Sequence, residues 1–195
     1  MKNRQWIYAS KPNAEVSPAN FALQETETRE PGPGEALVRS TLLSIDPASR
    51  AWMQARTYRA QLQPGELMAG WGMGEVIQSN SDKFAPGDLV SGEFGWQEYT
   101  ILPVHRLTKH DKRRKPEHLL GILGVTGLTA YFGMIDVGRP RPGETVLVSA
   151  AAGAVGSIAG QIAKLSGCRV VGTTRSESKC KWIVDELGFD GAVSY

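Results

Sequence analysis

The chain has 195 residues, 41% of them hydrophobic, and 22 Lys and Arg against 20 Asp and Glu leave a formal net charge of +2. That length exceeds one typical domain and is short for two complete ones, the hydrophobic share is enough for a packed core, and so small a net charge gives no basis for nucleic-acid binding. The opening MKNRQWIYASKP lacks the apolar core of a secretion signal, no run approaches the ~20 apolar residues that span a bilayer, and only Cys168 and Cys180 are present, so a soluble protein of the reducing cytoplasm without membrane association is expected.

Residues 1 to 122 read as an all-β module. Short β-rich runs over Glu35 to Ile45, Met73 to Gln78 and Asp88 to Leu102 are separated by Pro31-Gly32-Pro33-Gly34, Pro64-Gly65 and Pro86-Gly87, which mark turns. The basic run KHDKRRK, Lys109 to Lys115, is short and has no interleaved aromatics; it reads as a solvated loop, with His105, His110 and His118 at the surface around it. From Glu117 to Val137 the period becomes helical, with Leu128, Tyr131, Phe132 and Ile135 spaced by three and four residues, and this helix leads into a second domain over 123 to 195.

That second domain opens with TVLVSAAAGAVGSIAGQIAK, Thr145 to Lys164. TVLVSA is nearly all apolar, as a strand buried on both faces of a parallel sheet must be, whereas Ser157, Ile158, Ile162 and Leu165 follow helical spacing. At such a strand-to-helix junction, unpaired backbone N–H groups and the positive end of the helix dipole face whatever sits in the turn, and a pyrophosphate suits both. Ala151, Gly153 and Gly156 occupy the G-x-G-x-x-G positions, with Ala in place of the first Gly. The third Gly allows helix to pack on strand, and Gly160 extends that face by a turn.

The next strand, RVVGTT from 169 to 174, ends where an Asp or Glu would take the ribose 2′-OH of NAD. No acid stands there; the chain offers Thr173, Thr174, Arg175, Ser176 and Lys179, donors and cations suited to a 2′-phosphate, so NADP(H) is the expected cofactor. A third strand begins around Ala192. The order is the first half of a Rossmann doubly wound parallel sheet, giving a fold class of α/β plus β, and with the second half absent the chain is expected to be the front portion of a longer enzyme, the alternative being a genuinely short nucleotide-binding relative.

The segments AAAGAVGSIAGQIAKLSGCRVVG, GVTGLTAYFGMIDVG and LLSIDPASRAWM resemble the zinc-independent medium-chain dehydrogenase/reductases, in the branch of the leukotriene B4 dehydrogenase/prostaglandin reductases and the bacterial curcumin reductases. The resemblance runs from NRQWIYASKP to LGFDGAVSY. It implies a GroES-like barrel as the substrate domain and a partial NADP-binding Rossmann domain after it. It places the backbone of Gly153, Ala154, Val155 and Gly156 along the diphosphate, Lys179 at the 2′-phosphate and Tyr195 at the adenosine end, beside Thr174 and Arg175. It further implies a homodimer for the intact form. Two positions depart from the branch: Ala48-Ser49-Arg50 replaces Tyr-Met-Arg after Asp46-Pro47, and Val125-Thr126 replaces Met-Pro.

No metal site is expected. Leu43 stands three residues before Asp46, where zinc-dependent relatives carry Cys, and MAGWGMGEV, 68 to 76, has no His-Glu pair; a catalytic zinc needs about three such ligands. A hydride donor without a metal favours an acceptor polarised through conjugation. The expected activity is therefore NADPH-dependent reduction of the activated C=C bond of an enone or enal, with quinone reduction, or a catalytically silent nucleotide-binding form, as alternatives. No catalytic residue is assigned in this chain, because the resemblance puts the Tyr that serves the carbonyl oxygen beyond it. Arg50, Trp52 and Trp71 are candidates for the substrate side, against readings of Arg50 as an ion-pair partner within the barrel and of the two indoles as core.

Overall fold

Turns with left-handed backbone at Gly34, Gly65 and Gly87 (φ 73°, 95° and 90°) divide the N-terminal part into strands, since a side chain at such φ values is strained. The structure, a computed structural model, describes residues 1–195. It divides into two compact units, Met1–Pro116 and Glu117–Tyr195. The passage comes earlier than position 122, because the helical turn beginning at Pro116 is continued by hydrogen bonds within the second unit, such as Leu123 N to His118 O and Gly127 N to Gly121 O.

In the first unit, β1 (Lys2–Tyr8) and β2 (Phe21–Glu27) form an antiparallel hairpin. Next come β3 (Glu35–Leu43), the helix α1 (Pro47–Gln54), β4 (Trp71–Ser79), β5 (Leu89–Glu93), β6 (Tyr99–Pro103) and the short β7 (Thr108–His110). The five later strands make one antiparallel sheet in the order β6-β3-β4-β5-β7. Alternating inward residues, Ala36 and Val38 of β3, Val76 of β4, Val90 of β5 and Leu102 of β6, close on Phe94 and Leu107 as one core. A second cluster joins Tyr8 to Met53, Leu62, Met68 and Ala69, and the buried Tyr8 hydroxyl donates to Met53 O at 3.0 Å, which satisfies its polar tip.

The entry into β3 is fixed by Glu35, which accepts from Arg29 Nη1 and Nη2 (2.5 and 2.8 Å) and from Gly32 N (2.8 Å). The Arg29 guanidinium, and after it that amide, hold the carboxyl down from 4.5 to about 2. Folding thus favours the ionised form: its contribution to stability is complete above the ordinary carboxylate range and is lost as the pH falls through about 2. Glu35→Gln is expected to flatten the loss of urea stability between about pH 5 and about pH 2; an acid branch as steep as that of the parent chain would count against this role.

His110 departs from the surface placement read from its charged neighbourhood. In β7 it pairs opposite Leu89, its Nε2 lies 2.8 Å from Ser91 Oγ, and burial lowers its pKa.

The second unit opens with α2 (Pro116–Leu120) and α3 (Val125–Phe132), followed by a wider helical turn over Gly133–Gly138. Then β8 (Thr145–Val148), α4 (Ala154–Leu165), β9 (Arg169–Thr174), α5 (Glu177–Asp185) and β10 (Gly191–Ser194) alternate into a parallel sheet in the order β10-β9-β8. Val148, Ala151, Ala163, Cys168, Val170, Ile183 and Phe189 form its core. Gly167 (φ 78°) ends α4, its N–H donating to Lys164 O at 3.0 Å while Cys168 N donates to Ala163 O, a left-handed C-terminal stop. Asp190 ties α4 to β9 by accepting from Lys164 Nζ (2.8 Å) and Val170 N (2.6 Å).

Three features differ from the sequence reading here; the first is that β8 is not buried on both faces, since only Val148 of Thr145–Val148 is buried and Leu147 is 68% exposed. The strand expected to run to Ala150 stops at Val148, because Ala150 takes up left-handed backbone, φ 48°. The helical stripe of Leu128, Tyr131, Phe132 and Ile135 has the expected period, but its side chains are exposed, the first three by 51% each.

Candidate dinucleotide-binding site

The turn between β8 and α4 is held from within. Gly153 N donates to Ala150 O at 2.8 Å, and Ala151 N reaches across to Thr173 O of β9 at 3.0 Å. Ala151 itself is fully buried. Gly153 is the N-cap, in extended backbone, and no side chain caps the helix. The first amide of α4 with a backbone acceptor is that of Ser157, bonded to Gly153 O at 2.9 Å. The N–H groups of Ala154, Val155 and Gly156 are left open, and residues 153 to 155 are exposed.

The neighbouring α5 is built the other way. Its N-cap Ser176 accepts from Lys179 N through its hydroxyl, the usual solution for such orphan donors. α5 thus has one of its first-turn amides capped by a side chain, whereas α4 presents three amides and about half a positive charge to solvent.

Gly156 shows why this turn is so tight. A Cβ there would stand 2.5 Å from Ala150 O and 2.9 Å from Ala151 Cα. One turn on, Gly160 receives the ring of Phe189, so the small residues of α4 admit the turn after β8 and the segment that leads into β10.

The carboxyl ends of parallel strands share one edge of the sheet, and Arg175, Lys179 and Tyr195 gather near the ends of β9 and β10. Tyr195 is 69% exposed, and its N–H donates to Thr174 O at 3.0 Å. The ion pairs of this unit are Lys164–Asp190 and Lys181–Asp185, which leaves the exposed Arg175 and Lys179 without a carboxylate partner. Thr174 is the departure from the expected set. It is 2% exposed and its hydroxyl bonds to Ser176 on both backbone sides, so it supports the turn from beneath instead of offering a donor to a ligand. Ser176, whose cap orders Lys179, carries a sequence signal in Ser-Glu-Ser-Lys at the head of a helix.

None of the substrate-side candidates lines the groove found in the first unit. Arg50 is exposed and donates to Ala14 O; it makes no ion pair with the barrel, contrary to that reading. Trp52 is half-buried, with the Arg59 guanidinium 4.7 Å over its ring and Tyr58 edge-on at 6.1 Å. Glu93 anchors that guanidinium at 2.5 Å, so the indole face is already covered. Trp71 is exposed at the start of β4. A groove of about 490 Å³ is lined instead by Arg4, Trp6, Leu23, Leu43, Trp96 and Glu98, among others. Ser40 Oγ and Trp96 Nε1, also among its lining residues, are buried without a partner. No group of three or more His, Cys, Asp and Glu side chains is arranged to hold a metal ion. No helix is long and apolar enough to cross a membrane.

A sequence model of the family described as the N-terminal domain of oxidoreductase matches residues 4–110. The NADPH-dependent curcumin reductase of Escherichia coli is 42% identical over 191 residues, covering 97% of this chain and 55% of the relative. The NADP(+)-dependent 2-alkenal reductase of Nicotiana tabacum is 39% identical over 199 residues, covering 100% of this chain and 57% of the relative. The crystal structure of CurA in complex with NADPH from Vibrio vulnificus, 39% identical, gives a TM-score of 0.94 over 98% of this chain and 58% of that one. The chain spans just over half the length of the curated relatives it matches.

Proposed function

The chain belongs to the oxidoreductase family matched through its N-terminal domain, and on that premise we propose that it contributes the substrate domain and the NADP-binding half-sheet of an NADPH-dependent, zinc-independent reductase. The reaction proposed is reduction of the activated C=C bond of α,β-unsaturated ketones and aldehydes. The observation that carries this reading is the uncapped α4 N-terminus beside two cations without ion pairs, Arg175 and Lys179, with no acid on the end of β9 itself and Glu177 standing beyond it at the head of α5.

The residues present fit NADPH. The amides of Ala154, Val155 and Gly156 would take the diphosphate, with Gly153 leaving room for it, and Arg175 and Lys179 would counter the 2′-phosphate next to Tyr195. Bound there, NADPH supplies hydride to the β-carbon of a conjugated acceptor. The relatives named for curcumin and for 2-alkenals support that acceptor class. Leu43, where zinc-dependent members carry Cys, supports a metal-free site. At the relatives' length the protein is proposed to be a homodimer, and a cytoplasmic one, the latter in line with two buried, unpaired thiols.

The 195-residue chain is expected to bind NADPH more tightly than NADH in calorimetric titration, without turnover. A form extended to the relatives' length, supplied with NADPH and a simple enone, is expected to yield the saturated ketone. The allylic alcohol as product, or reduction of quinones alone, would overturn the assigned reaction; binding without turnover at that length would favour a silent nucleotide-binding protein.

A further inference from the structure

Resting on the NADPH reading, we infer that Thr174 is a positioning residue for 2′-phosphate selectivity: its buried hydroxyl locks the turn that presents Arg175 and Lys179. The hydroxyl donates to Ser176 O at 3.2 Å and accepts from Ser176 N at 3.3 Å, so a single side chain clamps the backbone on either side of the residue after Arg175. Ser176 in turn uses its own hydroxyl to accept from Lys179 N at 3.4 Å and to meet Ser178 Oγ at 3.1 Å. The Thr174 carbonyl holds Tyr195 N at 3.0 Å. One residue, 2% exposed and packed against Cys180 Sγ at 3.8 Å, thereby ties together the backbone that carries Arg175, Lys179 and Tyr195.

The physical consequence concerns order, not contact. Arg175 and Lys179 are long, exposed and free of ion pairs, and each loses freedom when it settles on a phosphate. A backbone already fixed beneath them lowers that cost. Valine keeps the branched shape that suits a strand end but removes both bonds to Ser176. Because Ser176 is only half-buried, water replaces them, and the turn loosens while the unit remains folded.

Calorimetric titration of the 195-residue chain with adenosine 2′,5′-bisphosphate and with 5′-AMP tests this. Thr174→Val is expected to weaken the bisphosphate by about tenfold and to leave 5′-AMP within about twofold, the size of one lost hydrogen-bonding contribution. Thr174→Ser, which keeps the hydroxyl, is expected to restore parent affinity for the bisphosphate. Thr174→Ala carries the same expectation as the valine variant and serves if the latter unfolds, as judged by thermal melting. Equal weakening of both nucleotides, unchanged bisphosphate affinity, or failure of the serine variant to restore it would each overturn the inference while the NADPH reading stands. A parent chain with no preference for the bisphosphate over 5′-AMP would overturn both.

Discussion

Gly156→Val is expected to abolish NADPH binding and to destabilise the second unit by about 2–4 kcal/mol, a severe overpacking cost. The atoms that a side chain would strike are the Ala150 carbonyl oxygen at 2.5 Å and Ala151 Cα at 2.9 Å, both backbone, so no rotamer change relieves the clash. The first turn of α4 must instead move away from the turn that follows β8. That turn is anchored twice, by Gly153 N to Ala150 O and by Ala151 N to Thr173 O, and the open amides of residues 154 to 156 move with the helix. Folding and binding are lost together because one close approach serves both. Gly133, with nothing within 4 Å of where its Cβ would be, is the control: Gly133→Ala is expected to leave both intact. Urea unfolding followed at Trp182, the single Trp of the second unit, together with NADPH titration, checks the pair. A Gly156→Val chain that kept parent stability and affinity would refute the account.

The β8–α4–β9 core was legible because its signals are local. The glycine spacing marks a helix closely approached by neighbouring segments, whereas the apolar run of β8 overstated its burial, Leu147 being 68% exposed. What the sequence hid depends on partners distant in the chain or on uncommon backbone. Ala150 ends β8 in a left-handed conformation that residue preference assigns to Gly or Asn. His110 sits among Lys and Arg in sequence, yet its partner Ser91 lies on β5 and its burial comes from the sheet. Thr174 ends a strand, where ligand donors in such sites stand, but it turns inward and satisfies itself on Ser176. Trp52 had the character of a pocket wall until Arg59 and Glu93, from two separate segments, covered its face. For Leu128, Tyr131, Phe132 and Ile135 the period identified the face correctly, but periodicity says nothing of what covers a face.

Lys179→Ala is expected to weaken NADPH by about 10- to 150-fold and to leave NADH within about twofold, the loss matching one charge-assisted hydrogen bond of about 1.5–3 kcal/mol. The preference rests on charge that nothing else in the unit consumes: the carboxylates that pair there, Asp185 and Asp190, take Lys181 and Lys164. NADH gains nothing from Lys179, since its ribose carries no 2′-phosphate, and the end of β9 offers no Asp or Glu to accept from its 2′-OH. Because Lys179 is exposed, the preference should also shrink as salt rises, by screening over about 8–10 Å near physiological ionic strength. Lys181 provides the comparison two residues away. It is held by Asp185 at 2.5 Å, which raises its pKa, so Lys181→Ala is expected to change neither coenzyme's affinity. Titrating parent, Lys179→Ala and Lys181→Ala with both coenzymes at low and high salt separates a bound 2′-phosphate from general attraction of an anion. A Lys179→Ala chain that lost both coenzymes equally, or neither, would remove Lys179 from the site.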